Sequence, residues 1–218
     1  MNFAISYSGG KDSALALYRM IQQGHTPVAM ITTVNPEQDR SWFHGIQKEL
    51  LLAVSESLDI PLIIGECEPD DYTETLQACL VEAKRQGAEA CVFGDIDIDE
   101  HRAYDEEICA ESGLECLLPL WLNDRTALVN ELLEAGFKAI IKIVDTSKLD
   151  ASLLGQKLTT AIVQKIVSAG ADICGENGEY HTFVSDGPIF KTAVPIELGE
   201  IVDLNSHMAI DLKYGGIA

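Results

Sequence analysis

The sequence predicts a layered α/β fold with a mostly parallel sheet, followed by a smaller C-terminal α+β subdomain. Three observations carry that expectation. Up to about residue 145, short β-branched runs alternate with helical stripes about six times. The links are short, and several strand runs are apolar almost throughout, as strands covered on both faces are. After residue 145 the rhythm gives way to Gly- and Pro-rich stretches with brief extended pieces.

Residues 2–7 read as a buried strand. Residues 12–23 carry Leu15, Leu17, Tyr18 and Ile21 on a broad helical stripe, which Gly24 stops. Residues 27–34 form the next strand, and Ile46, Leu50, Leu51, Val54 and Leu58 mark a helix over 46–58. A strand at 61–64 precedes a helix at 72–86, a strand at 90–93 and a helix at 99–112. Residues 116–118 are extended, 126–134 helical, 139–144 extended and 157–169 helical. The chain divides into a nucleotide-type domain over 1–145, with its core in 1–110, and a substrate-binding subdomain over 146–218. The second part is expected to pack across the carboxyl ends of the strands.

Composition narrows the function. Hydrophobic residues make up 47% and charged residues 23%, which suits a globular chain. Fifteen Lys+Arg against 35 Asp+Glu give a net charge of −20. Such a surface repels nucleic-acid backbones and anionic lipid, although a local basic cleft stays open as an option. No run approaches the ~18 apolar residues of a membrane helix. The start lacks the basic and apolar regions of a signal peptide. The six cysteines form no C-x-x-C pair, so zinc-ribbon and thioredoxin-type sites are not expected. A cytoplasmic, reduced protein is the expectation.

Ser8-Gly9-Gly10-Lys11-Asp12-Ser13 sits between the first strand and the first helix. An open α/β sheet binds its ligand there, outside a strand's carboxyl end. Gly9 and Gly10 let the backbone approach an anion, and the unpaired N–H groups of a helix start favour phosphate. Ser8 and Ser13 add hydroxyls and Lys11 a charge. Position 5 is Ile and Asp12 follows the lysine, so this is not a Walker A loop. The segment resembles the PP-loop of the N-type ATP pyrophosphatases. That resemblance implies an adenine nucleotide alpha hydrolase-like, Rossmann-like sheet and ATP cleavage to AMP and pyrophosphate.

A second signature runs Cys174-Gly175-Glu176-Asn177-Gly178-Glu179-Tyr180-His181-Thr182. Two glycines suggest tight turns. Glu176 and Glu179 could hold an amine, an ammonium ion, a metal or a substrate cation, or could be surface carboxylates on an acidic protein. The stretch resembles the GE-x-GEY-x-T segment of the diphthine–ammonia ligase (diphthamide synthetase, ATP-binding-4) family. Gly94-Asp95-Ile96, His101-Arg102, Pro119-Leu120-Trp121 and Leu154-Gly155 match in order, so the likeness covers nearly the whole chain. Position 177 is Asn where many members carry Gly; Asn tolerates a left-handed backbone.

The resemblance implies Mg²⁺ and ATP as cofactors, with ammonium and a carboxylate acceptor as substrates. The family's acceptor is diphthine on an elongation factor. Lys11, Asp12, Glu176 and Glu179 are the catalytic candidates. Ser8, Gly9, Gly10, Lys11, Asp12, Ser13, Thr32, Thr33, His44, Gly94 and Asp95 are the nucleotide-binding candidates, with Asp12 and Asp95 for the metal. Arg102, Asn177, Tyr180, His181 and Thr182 fall on the acceptor side. Plain alternatives stand beside several of these. Asp95 can cap a helix, Arg102 can pair with Glu106 one turn on, and Tyr180 and Trp121 can simply pack. A homodimer is compatible with such a fold, and no exposed apolar stripe in the sequence demands one. Two other readings are a PP-loop ATPase acting on a different small-molecule or RNA acceptor, and an ATP-binding sensor that does not spend its ligand. A tRNA thiolase would call for paired cysteines and a basic surface, which the chain lacks.

Overall fold

The computed structural model describes residues 1–216. Ten strands form two sheets. The first sheet holds β1 (Asn2–Ser6), β2 (Thr26–Asn35), β3 (Arg40–Ser41), β4 (Leu62–Glu66), β5 (Ala90–Val92) and β6 (Glu115–Leu117). Its order is β3-β2-β1-β5-β6, with β4 also paired to β2, and every pairing is parallel except that of β3. The second sheet is antiparallel, in the order β8-β7-β10-β9, from β7 (Lys138–Asp145), β8 (Tyr180–Asp186), β9 (Ile196–Leu204) and β10 (His207–Tyr214). The helices are α1 (Lys11–Gln22), α2 (Lys48–Leu58), α3 (Tyr72–Arg85), α4 (Asp99–Ser112), α5 (Arg125–Glu134) and α6 (Thr160–Ser168).

Side-chain alternation along β1 explains the layering. Phe3 and Ile5 face one core, which gathers Leu15 and Leu17 of α1, Leu50 and Val54 of α2 and, from the second sheet, Ile141 and Phe183. Ala4, between them, faces the opposite core, with Leu80 of α3 and Cys109 of α4. The first sheet is therefore covered on both faces, which is why its strands read as continuous apolar runs. The first core also runs on into the second sheet, so the C-terminal strands are part of the same packed body.

The C-terminal half is more regular than brief extended pieces. β9 and β10 form a hairpin of nine- and eight-residue strands. The apolar run at 139–144 is β7, which pairs antiparallel with β8 and β10 instead of extending the parallel sheet. A run buried on both faces looks the same in either sheet, so periodicity could not separate the two. β9 is an edge strand with Leu198, Ile201, Val202 and Leu204 about half exposed, an apolar stripe the sequence reading did not anticipate. The six cysteines are free thiols, five of them buried. No described helix is long and apolar enough to cross a membrane.

The strand order places the site. From β1 the chain builds outward to β2 and β4, then returns to β5 on the other side. The carboxyl ends of β1 and β5 flank this switch point, where such sheets leave a crevice. Ser8–Ser13 follows β1 and Gly94-Asp95 follows β5.

Candidate functional site

The loop after β1 is fixed from two directions. Gly9 takes φ +82°, and its carbonyl accepts a hydrogen bond from Val184 N of β8 at 2.8 Å. The Lys11 N–H donates to Thr182 Oγ1 at 3.0 Å. Ser13 Oγ donates to the Gly10 carbonyl at 3.0 Å, and Gly10 N donates to Ser8 Oγ at 3.3 Å. The next N–H groups, those of Asp12 and Ser13, have no acceptor among the described residues. Unpaired donors at the positive end of a twelve-residue helix form an anion seat.

Gly94 closes the other side by close packing. A Cβ there would stand 2.8 Å from Ser13 N and 2.9 Å from the Asp12 carbonyl carbon. Both are backbone atoms and cannot give way cheaply. Gly94→Ala should therefore cost about 1–3 kcal/mol and displace the loop. Thermal unfolding and ATP titration would show it as a lower Tm with weakened ATP binding; an alanine variant equal to wild type in both would refute the packing argument.

Above the loop lies a cavity of about 520 Å³, lined by Ser8, Lys11, Asp12, Ser13, His44, Gly94, Asp95, Glu176, Tyr180, His181 and Thr182 among others. The two sequence signatures thus meet at one place although more than 160 residues separate Lys11 from Glu176. Thr32 and Thr33 line a small crevice of about 30 Å³ that shares Ser6, Ser8, Phe43 and Tyr72 with it. Lys11 is buried, lies 2.7 Å from Asp12 Oδ2 and stands over the Tyr180 ring at 5.4 Å. Burial works against its ammonium, but Asp12 together with Tyr180 and Cys174 leaves its pKa raised.

Glu176 has its backbone N–H on Asp172 Oδ2 at 2.9 Å, and Asp172 pairs with Arg125 at 3.0 Å. Its carboxyl is pushed up to about 7, first by burial and then by Asp12, with Lys11 and Arg125 opposing. His44 and His181 meet edge to face at 4.9 Å. Burial, then His181 and Lys11, holds the pKa of His44 well below its usual value; burial, then Lys11 and His207, brings His181 to about 4. Both shifts favour the neutral ring.

Other candidates sit elsewhere. Arg102 projects outward, bound to Glu106 Oε1 at 2.7 Å and lying over Trp121. Glu179 does not line the cavity. It is 4% exposed and its carboxylate accepts from Asn177 N at 3.0 Å, Asn177 Nδ2 at 3.1 Å and Asp172 N at 3.2 Å. Burial alone would raise its pKa, but these hydrogen bonds and Lys148 lower it. Asn177 has no left-handed backbone; Gly175 and Gly178 supply the positive φ values, and Asn177 contributes its amide to Glu179. Glu179→Gln should lose about 1–3 kcal/mol of stability near neutral pH. A lowered folded pKa contributes stability above the unfolded value, so this difference should shrink as pH falls through 4.5 and below. Urea melts across that range would show it, and a pH-independent difference would count against it.

Several cavity residues were not among the site candidates, although His101 stood in one of the matched pairs. His101, Tyr104 and Asp105 line the wall beside Asp95. His101 Nδ1 lies 2.9 Å from Asp95 Oδ1. Asp105 Oδ2 is buried without a partner, and burial followed by Asp95 pushes the Asp105 carboxyl well above the usual carboxylate range. The signal was present as helical spacing: Ile98, His101 and Asp105 stand three and four apart and share one face, while Arg102 is turned about 100° from His101.

Comparison with known proteins identifies the family. The diphthamide synthase N-terminal domain model matches residues 1–116, and the C-terminal domain model matches 124–213. The chain belongs to the diphthamide synthase family. Mouse diphthine–ammonia ligase is 26% identical over 227 residues, covering 93% of this chain and 85% of the mouse protein. The zebrafish ligase of the same name is 29% identical, covering 89% and 86%. The fission-yeast ligase is 29% identical over 94% of this chain but only 38% of its own length. A solved structure titled as a predicted subunit of tRNA methyltransferase from Methanocaldococcus jannaschii superposes with a TM-score of 0.45 at 15% identity, over 89% of this chain and 100% of that one.

Proposed function

We propose that this diphthamide synthase family member is an ATP-dependent, amide-forming ligase that adenylates a carboxylate and transfers it to ammonia. The observation that supports the reading most is the single cavity that holds both the phosphate-loop donors and Glu176. A carboxylate oxygen attacks the α-phosphorus, and the bond to pyrophosphate breaks. Ammonia then attacks the acyl carbon of the adenylate, the bond to AMP breaks, and one proton leaves the nitrogen. Lys11 and the N–H groups of Asp12 and Ser13 would hold the phosphates and offset their growing charge. Glu176, with its raised pKa, is suited to take the proton. Glu179 serves by fixing the turn that presents Glu176, and Tyr180, His181 and Thr182 shape the wall facing the phosphate loop.

No group of three metal-ligating side chains occurs among the described residues. Mg²⁺ is usually held by one or two carboxylates together with substrate phosphates and water, which Asp12 and Asp95 fit. When bound, it would neutralise phosphate charge. The acceptor in this reading is protein-borne diphthine on an elongation factor, in keeping with the relatives' name. A cytoplasmic setting fits six free thiols. The test is product analysis with ATP labelled at the α-phosphate, plus Mg²⁺, ammonium and diphthine-bearing factor. Labelled AMP that depends on the factor supports the ligase; ADP, or ATP retained intact, overturns it.

A further inference from the structure

Arg125, the first residue of α5, does not line the cavity, yet it is bonded into two of its walls. Its guanidinium binds Asp97 as a fork, Nε to Oδ2 at 2.8 Å and Nη2 to Oδ1 at 2.6 Å. The remaining nitrogen, Nη1, stands 3.0 Å from Asp172 Oδ2. Asp97 follows Asp95 by two residues in the segment between β5 and α4. Ile96, between them, is buried, and its carbonyl accepts from Leu122 N at 2.7 Å, which fixes this wall. Asp172 Oδ2 also accepts from Cys174 N at 3.2 Å and from Glu176 N at 2.9 Å. Cys174 Sγ in turn donates to the Arg125 carbonyl at 3.3 Å. Among the described residues, no hydrogen bond or ion pair joins the 94–98 segment directly to the 172–176 turn.

The place calls for arginine. A guanidinium presents five N–H donors in a rigid plane and can serve two carboxylates at once, whereas an ammonium is a point charge on a flexible stem. Hydrogen bonding to Asp97 first, and to Asp172 after it, outweighs burial and keeps the Arg125 pKa raised. The same fork holds Asp97 below the usual carboxylate range. All three side chains are partly buried, so water screens the pairs incompletely. A fully exposed ion pair would fix little. This one completes a chain of contacts from the Asp95 wall to the backbone of Glu176.

We propose that Arg125 is a positioning residue for the amide-forming step: by holding Asp97 and Asp172 at once, it sets the turn that presents Glu176 against the Asp95 wall. It acts through Asp172 and the backbone N–H groups of Cys174 and Glu176. The phosphate loop is anchored separately, by Val184 and Thr182 of β8. Loss of Arg125 should therefore separate the two half-reactions. The proposal rests on the ligase reading above for the reaction, but not for the coupling between Arg125 and the turn.

Two measurements test it. The first is amide hydrogen exchange of the full chain without nucleotide, read by NMR. Arg125→Met should speed exchange at the Cys174 and Glu176 amides at least about tenfold and leave Val184, which anchors the phosphate loop, within about twofold of wild type. No acceleration at the turn, or an equal one at Val184, overturns the coupling. The second is kinetic. Arg125→Met should lower amide formation by about 10–10²-fold, with acceptor-dependent ATP–pyrophosphate exchange within about threefold of wild type. Asp97 reaches the turn only through Arg125 among the described residues. Asp97→Asn should therefore lower amide formation too, and should add nothing to Arg125→Met. Arg125→Lys should recover amide formation only in part. Equal losses in both half-reactions, or wild-type amide formation in Asp97→Asn, would make Arg125 a structural ion-pair residue and end the proposal; the Asp97 result stands even where the methionine variant does not fold. If the wild type makes no AMP with the factor, the ligase reading fails, and the hydrogen-exchange pattern still decides whether Arg125 governs the turn.

Discussion

Lys11→Met is expected to lower AMP formation by about 10²–10³-fold while leaving the protein folded. The lysine is buried at the start of α1, and its only ion pair among the described residues is with Asp12, whose side chain is 30% exposed. Removing the ammonium therefore leaves a carboxylate that water can still reach, and the stability loss should stay near 1 kcal/mol. The loss in turnover should be far larger, because the same charge faces the cavity where phosphate charge would grow. Its pKa is raised, so Lys11 stays protonated across the working range and should contribute no limb to the pH–rate profile. Single-turnover kinetics with labelled ATP separate binding from chemistry. A methionine variant within threefold of wild type in the adenylation step would remove Lys11 from the machinery.

How far the sequence reveals this site follows from the kind of physics involved. The phosphate loop is local: a strand, two glycines, a lysine and a helix start are contiguous, and the fold keeps them so. The seat for Gly94 is not local. That glycine was readable as a strand end, but its close contact with the Asp12–Ser13 backbone exists only once β1 and β5 are neighbours. The pair Glu176 and Glu179 shows the same limit more sharply. Three residues apart and chemically alike, they were equivalent as residues, and the fold points one into the cavity and spends the other on the turn. Arg102 and His101 were separable in principle, since α4 has a regular period and Ile98 already marks its inward face. The period turns Arg102 toward Glu106, the pairing weighed for it beside a substrate contact. Lys142 was hidden for the opposite reason. It lies inside an apolar strand run, where a lysine reads as a tolerated interruption, and only the second sheet shows that the residue is buried with its ammonium beside Gly45.

Glu176→Gln should give the second large effect, and its signature is in pH. At neutral pH ammonia is mostly protonated, so the attacking nitrogen needs a group that accepts a proton close to pH 7. Glu176 is pushed up to about 7 by burial and Asp12, whereas Glu179 is held low by its hydrogen bonds. Only the former suits the task. The glutamine variant should keep adenylation, measured as acceptor-dependent ATP–pyrophosphate exchange, and lose about 10²–10⁴-fold in amide formation. The wild-type rise in amide formation through pH 7 should disappear with it. Stability should move the other way. A carboxyl with a folded pKa of about 7 and an unfolded value of 4.5 holds its proton longer in the folded state. Wild-type stability therefore falls as pH rises from 4.5 to 7, and glutamine lacks that fall. In the absence of nucleotide, Glu176→Gln should match wild type near pH 4 and exceed it above pH 7, by at most about 3 kcal/mol. A variant that loses exchange and amide formation together would mean that the carboxylate serves the nucleotide. One that gains no stability at high pH would mean that the folded protein does not hold the Glu176 proton.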